Sequence, residues 1–407
     1  MNTEKKFFHS NTAIVTLFAA CFVVLISLGV RQTFGLFFID FNESLNRSNT
    51  AFGFAIGTQM LMWGLTGPIF GAIADRFGGH VAIISSFLFY TLGVYFLYSG
   101  PNTGIFFQIH LGLLIGIGLG GTAISIPMSI VGKHFPLSNR TIAMSIVTAV
   151  GSFGYFISPI FTNYSLIEYG WNYTLFLFSL FLVTGLIAAF FVRSPKENEI
   201  VENRSDQSLK EALSEAFKSK SYILLVSGFF VCGFHITLVG THVPKYVIDR
   251  GLEDWTAAAI LSLIGLFNIF GSLLSGYLST KISKKVLLSA IYLLRGFSIA
   301  FFIFTPPSVL SAFIFGASFG FLWLSTVPAT SGIVAHLFGT KYLGLLYGIV
   351  FLSHQIGSFF GAYLGGLFHD LYGSYDYAWY LAILLSIFAA IIHLPIIEKP
   401  VERLQKI

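Results

Sequence analysis

The stretch SLGVRQTFGLFF (27–38) places Arg31 and Gln32 inside an apolar run that begins at Ala13. A guanidinium in hydrocarbon costs at least ~2.5–3.5 kcal/mol on insertion scales, so it persists only where something offsets that cost. Arg31 lies roughly six residues past the centre of the run, about 9 Å toward its far end at 1.5 Å per residue. All 18 acidic residues lie in loops or at the ends of apolar runs. Asp40 is more than two helical turns further on, a poor neighbour. Two readings stay open: contact with an anionic substrate, or a cation that snorkels or bonds backbone carbonyls.

Other polar residues sit at similar depth. Arg295, in YLLRGFSIAFF, is closer to mid-run and reads as a structural intramembrane charge. Gln59, Asn268 and Gln355 could orient a polar ligand or bond between helices. Tyr155 and Trp323 could wall the apolar part of a ligand, or simply pack. His235 and His354 fall near mid-depth, with His242 two turns outward from His235. With no carboxylate at that depth, histidine is the one group there that titrates near neutrality. His235, His242 and His354, with Asp40 at the outer end, are therefore candidates for proton coupling; plain hydrogen bonding is the alternative. His110 reads as structural.

Some chemistry is not expected. No acidic or thiolate residues have metal-ligand spacing, and Cys21 and Cys232 are far apart in separate apolar runs. There is no H-E-x-x-H, no G-x-S-x-G, no phosphate loop and no nucleotide-binding domain, so neither an enzyme nor a cofactor is expected.

The elements that hold these residues follow from composition. A chain of 407 residues that is 55% hydrophobic, 17% aromatic and 10% charged cannot cover a water-soluble surface. A bilayer core of ~30 Å takes about 20 helical residues per crossing. On that rule twelve segments stand out, at 12–38, 51–73, 80–98, 104–132, 141–164, 173–192, 222–247, 256–278, 285–304, 308–335, 342–368 and 376–397. The basic flank MNTEKKFFHS leads into a run with no small-residue cleavage site, so the first segment is expected to be retained. Glycines in GLLIGIGLGG (112–121) and GSFFGAYLGG (357–366) mark close helix packing.

With the N-terminus inside, 18 of the 23 Lys and Arg fall on the cytoplasmic side, among them Lys5, Lys6, Lys196 and Arg204. Only Arg47, Lys245 and Arg250 lie outside. Both termini are therefore expected in the cytoplasm, in a multi-pass protein of a plasma membrane, a bacterial inner membrane. The net charge of +5 reflects these loops and gives no reason to expect nucleic acid. The polar stretch 193–220 divides the chain into a bundle of six helices (1–192), a cytoplasmic loop and a second bundle of six (221–407). Within it SLKEALSEAF, with Ser208 and Glu211 spaced as a capping box, predicts a short surface helix.

The two halves echo each other. GAIADRFGGH (71–80) follows the second segment and GYLSTKISKK (276–285) the eighth, aligning Gly71 with Gly276, Arg76 with Lys281 and His80 with Lys285. Half-length repeats mark secondary transporters. The first copy resembles the G-x-x-x-D-R-x-G-R-R loop of the major facilitator superfamily, with His80 at a usually basic position and Thr280 replacing the Asp in the second copy. The resemblance implies a twelve-helix, all-α major facilitator fold and a conformational-switch loop at Gly71, Asp75, Arg76 and Gly78. AVGSFGYFISP (149–159) is similar to that superfamily's gate helix. GVRQTFGLFF (29–38), GFHITLVGTHVPKYVIDRGL (233–252) and LSHQIGSFFGAYLGG (352–366) resemble bacterial members of the monocarboxylate porter family. That family carries a basic residue facing the substrate path in its first helix, which Arg31 matches. Its transporters of lactate-like acids also carry an Asp and an Arg four residues apart in the eighth helix, where Asn268 and Ser272 stand here.

The function expected is transport of a small organic anion, a monocarboxylate, by alternating access, as proton symport or exchange. Arg31, Gln59, Tyr155, Asn268, Trp323, His354 and Gln355 would meet the substrate. A monomer in a lipid bilayer is expected. An exporter of amphipathic or drug-like compounds is the alternative, and a ligand sensor signalling through 193–220 a third.

Overall fold

A computed structural model describes residues 11–194, 207–339 and 341–405. Lys5, Lys6, Lys196 and Arg204 of the charge count lie outside the described residues. Backbone groups in hydrocarbon find no water, so a spanning segment must satisfy its own amides, as a helix does. Ten helices among the described residues are long and apolar enough to cross a membrane. One of them, Asn139–Ala189, turns at Gly170, whose φ of 78° is the left-handed geometry that glycine tolerates, so it is two spans. Asn49–Phe77, 29 residues long, adds a further one. In chain order the twelve are α1 (Asn11–Leu45), α2 (Asn49–Phe77), α3 (Gly79–Ser99), α4 (Ile105–His134), α5 (137–169) and α6 (171–189). The second six are α7 (Lys220–Asp249), α8 (Asp254–Leu278), α9 (Lys284–Phe304), α10 (Val309–Phe338), α11 (Leu343–Tyr372) and α12 (Asp376–His393).

Three spans are interrupted. In α1 the α-helix stops at Gln32, passes through a 3-10 turn at Phe34–Phe37 and resumes at Phe38. An uninterrupted helix over 12–38 was the expectation; the turn arises where Gly35 meets α7, and any Cβ there would overlap the Gly240 carbonyl. α4 breaks between Thr122 and Ser125, and α10 between Leu322 and Thr326. The α4 and α10 breaks fall in corresponding helices of the two halves, whereas α7, the counterpart of α1, is continuous.

Each half has its own apolar core, one around Phe37, Phe41, Phe87 and Leu119, the other around Phe229, Ile264, Phe315 and Trp379. The halves touch along α2 and α11, where Gly53 faces the Ala362 backbone, Gly57 faces Phe359 and Gly64 faces Gln355. At this end Asp370 of α11 caps the first turn of α2 across the boundary. Its carboxylate accepts from the Thr50 amide (2.7 Å), the Asn49 amide (3.2 Å), Asn49 Nδ2 (2.7 Å) and the Thr50 hydroxyl. His369 accepts from Asn49 Nδ2 at 2.7 Å and donates to Asp249 at 3.3 Å. Toward the other end the helices separate: Gly71 on α2 and Gly344 and Gly348 on α11 have no heavy atom within 4 Å of where a Cβ would stand. The halves are thus in tight contact at the 46–48 end, and these glycines of the other end touch nothing across the boundary.

The expected surface helix is Leu209–Lys218, capped reciprocally by Ser208 and Glu211. It leans on the second half. The Gln207 carbonyl accepts from Lys341 Nζ at 2.8 Å and the Tyr342 hydroxyl at 2.9 Å, and Glu215 pairs with Arg403 at 3.5 Å.

Candidate functional site

Arg31 occupies the last turn of the first helical piece of α1, where the carbonyl end of the helix favours a cation. It is 7% exposed. Nη1 reaches Gln32 Oε1 only at 3.5 Å, the limit of a hydrogen bond, Nη2 donates to the Met60 sulfur at 3.2 Å, a weak acceptor, and Nε is buried with no partner. Among the described residues no carboxylate pairs with it. Its electrostatic neighbours are Tyr155 of α5 and Tyr90 of α3.

Facing Arg31 from the second half is Gly240 of α7. A Cβ added there would stand 3.9 Å from Arg31 Nη1 and 3.8 Å from Trp323 Cη2, so the missing side chain leaves a notch between a cation and an aromatic edge. Trp323, 1% exposed, sits on the break of α10. Asn268 spans the halves: Nδ2 donates to Ser152 Oγ of α5 at 2.9 Å, and Oδ1 accepts the Leu324 amide at 3.0 Å. Tyr155 lies where α5 crosses Gly265 of α8. Tyr155 and Trp323 thus stand near Arg31, and Asn268 holds the residue after Trp323.

The others are placed differently. Gln355 lies against Gly64, its Oε1 accepting from His354 Nδ1 at 3.0 Å and its Nε2 buried without a partner. Gln59 turns into the seam between α2 and α4, donating to the Leu111 carbonyl at 3.0 Å. His235 donates to the Ala382 carbonyl of α12 at 2.9 Å, within the second half. His242 donates to the Ala362 carbonyl at 2.7 Å, at the closed end beside Phe38. His354, 9% exposed, lies between Phe229 and Phe351. Among the described residues no hydrogen bond joins any two of these three. Asp40 lies in the first turn of the helix Phe38–Leu45, with Glu43 and Asp254, and no histidine, as its charged neighbours. Arg295 is fully buried and binds carbonyls of the α10 break.

Residues 20–327 match the profile of the Major Facilitator Superfamily. The chain belongs to the major facilitator superfamily. It is thus an integral, multi-pass membrane transporter and not an enzyme. YcxA of Bacillus subtilis (strain 168), an uncharacterised MFS-type transporter, is 24% identical over 94% of this chain and 95% of its own. Monocarboxylate transporter 13 of Rattus norvegicus is 24% identical over 90% of this chain and 85% of its own. A bacterial homologue of the lysosomal transporter Spinster, solved inward-facing and unoccupied, superposes with a TM-score of 0.76 at 15% identity, covering 94% of this chain and 96% of that one. Its likeness supports the major facilitator fold.

Where α2 gives way to α3, Gly78 takes φ 98° to end α2, and Asp75 in the last turn of α2 pairs with Lys133 of α4 at 2.9 Å. Arg76 lies over the Phe77 ring at 5.1 Å, and Gly71 faces open space. Four participants were not singled out from sequence: Met60, Tyr90 and Gly240 beside Arg31, and Ser152 bonded to Asn268. Ser152 and Gly240 are small residues in apolar runs, and their types carry no signal of a cleft.

Proposed function

We propose that this transporter moves small organic anions, monocarboxylates foremost, by alternating access as proton symport or exchange. The observation that carries the reading is Arg31: a buried guanidinium with an unpartnered Nε and no carboxylate beside it. A carboxylate arriving from water would supply the missing acceptor and neutralise the charge together. Trp323 and Tyr155 would face the organic part of the ligand, and His354 with Gln355 would lie on the opposing wall. The name of the rat relative agrees with this substrate class. From the Lys and Arg distribution, residues 1–192 and 221–407 form two bundles joined by a cytoplasmic loop, with both termini inside a bacterial inner membrane. The splayed end then faces the cytoplasm, an inward-open arrangement of a monomer.

The test uses purified protein and pairs of ligands that differ in charge. Benzoate, pyruvate and lactate should raise the melting temperature and compete with one another for uptake into proteoliposomes, while their neutral amides should do neither. Equal stabilisation by acids and amides, or a preference for neutral amphipathic compounds, would sink the anion reading and favour export of the latter.

A further inference from the structure

The break in α10 leaves carbonyls without an amide four residues on, in a region where no water replaces it. Arg295 of α9 answers that need. Its Nε and Nη2 both donate to the Leu322 carbonyl, at 3.1 and 2.7 Å, and Nη2 also reaches the Trp323 carbonyl. The guanidinium is fully buried, and its carbon lies 5.4 Å from the centre of the Tyr292 ring. From α8, Asn268 takes the Leu324 amide and the Ser275 hydroxyl donates to the Ser325 carbonyl. The interrupted turn is therefore held from two helices, and the one charged clamp comes from the helix behind it. Its other end carries the Trp323 ring to the notch at Gly240, where Arg31 Nη1 waits.

We propose that Arg295 is a positioning residue for the anion site: by bridging two successive carbonyls of the α10 break it fixes the Trp323 ring beside Arg31. The width of the notch is then set by a residue that never meets the substrate. This rests on the reading of Arg31 as the carboxylate contact. A planar fork suits the task, since it can serve adjacent carbonyls at once, whereas an ammonium serves them as a mobile point charge. The clamp belongs to the second half alone. The offset that relates Gly71 to Gly276 also relates Tyr90 to Arg295, yet the Tyr90 hydroxyl donates to Ser27 of α1 at 3.0 Å.

The test compares full-length Arg295→Gln and Arg295→Lys with the parent. The emission of Trp323 is isolated by subtracting the spectrum of the matching Trp323→Phe protein. In Arg295→Gln it should shift to the red and become open to acrylamide quenching, with Arg295→Lys between. Uptake of benzoate should show KM raised at least about tenfold in Arg295→Gln and less in Arg295→Lys. The maximal rate should stay within about twofold, since the loss is in holding the ligand. Unchanged Trp323 emission would overturn the proposal, as would a fall in maximal rate at constant KM. Failure of both variants to give monodisperse protein would assign Arg295 to folding and equally overturn it. Should the parent take up no benzoate, the carboxylate reading fails on its own, while the Trp323 emission still decides the positioning.

Discussion

Arg31→Gln removes a charge that holds no carboxylate in place, so the protein should fold and insert much as before. Affinity for a carboxylate should fall by what a charge-assisted contact contributes, ~1.5–3 kcal/mol or about 10- to 150-fold. Arg31→Lys should keep part of it, and neutral ligands of the same shape should change little. Titration calorimetry with benzoate and benzamide checks both; equal losses for the two would make Arg31 structural. A second change at this scale is Gly240→Ala. The new methyl group would sit at ordinary contact distance, 3.8 Å from Trp323 and 3.9 Å from Arg31, so no strain is expected. It would fill the notch, and benzoate should lose more affinity than pyruvate. Arg31 could be picked out from sequence because a charge in an apolar run contradicts its surroundings. Gly240 could not, being one of 41 glycines whose significance lies in what stands opposite.

At the scale of elements, the cross-boundary cap on α2 is the contact to test. Asp370 gathers two backbone amides and two side-chain donors from Asn49 and Thr50, an anion at a helix N-terminus belonging to the other half. Asp370→Asn keeps the shape and drops the charge. The ratio of closed to open at that end should fall by about ten- to a hundredfold, the worth of one hydrogen bond to a charged group. A cysteine at Thr241, 3% exposed in the closed arrangement, should then react faster with an impermeant maleimide. Unchanged labelling would reduce Asp370 to a local cap. Hydropathy located the spans to within a few residues, and the turn at Gly170 falls in the gap between the fifth and sixth segments. It could not show the interruptions at 33–37 and 323–325, because TFGLF and WLS are as apolar as what surrounds them. What marks these interruptions is a neighbour: the Gly240 carbonyl lies against Gly35, and Arg295 and Asn268 take up the polar groups freed at the α10 turn.

For the whole molecule, orientation is the open quantity with the most direct measurement. Both native cysteines are buried, so single cysteines placed at Thr103 and Thr280 report almost alone. Thr103→Cys should react from the outer face of intact cells and Thr280→Cys only after permeabilisation; the reverse would invert the assignment of sides. The closed end has a further consequence. Beside the Asp370 cap, the halves meet backbone to backbone there at Gly35, Gly53, Gly57 and Gly366, so at these four points no long side chain lies between them. Such close backbone contact has no slack. A single methyl group is a wedge: in Gly53→Ala the new Cβ would overlap the Ala362 carbonyl and hold the joint ajar. The prediction is a protein that still binds benzoate but carries out little exchange, with Thr241→Cys labelled steadily in its background. Jammed in this way, the transporter would present the face it normally hides, a fixed target against which antibodies to that state could be selected.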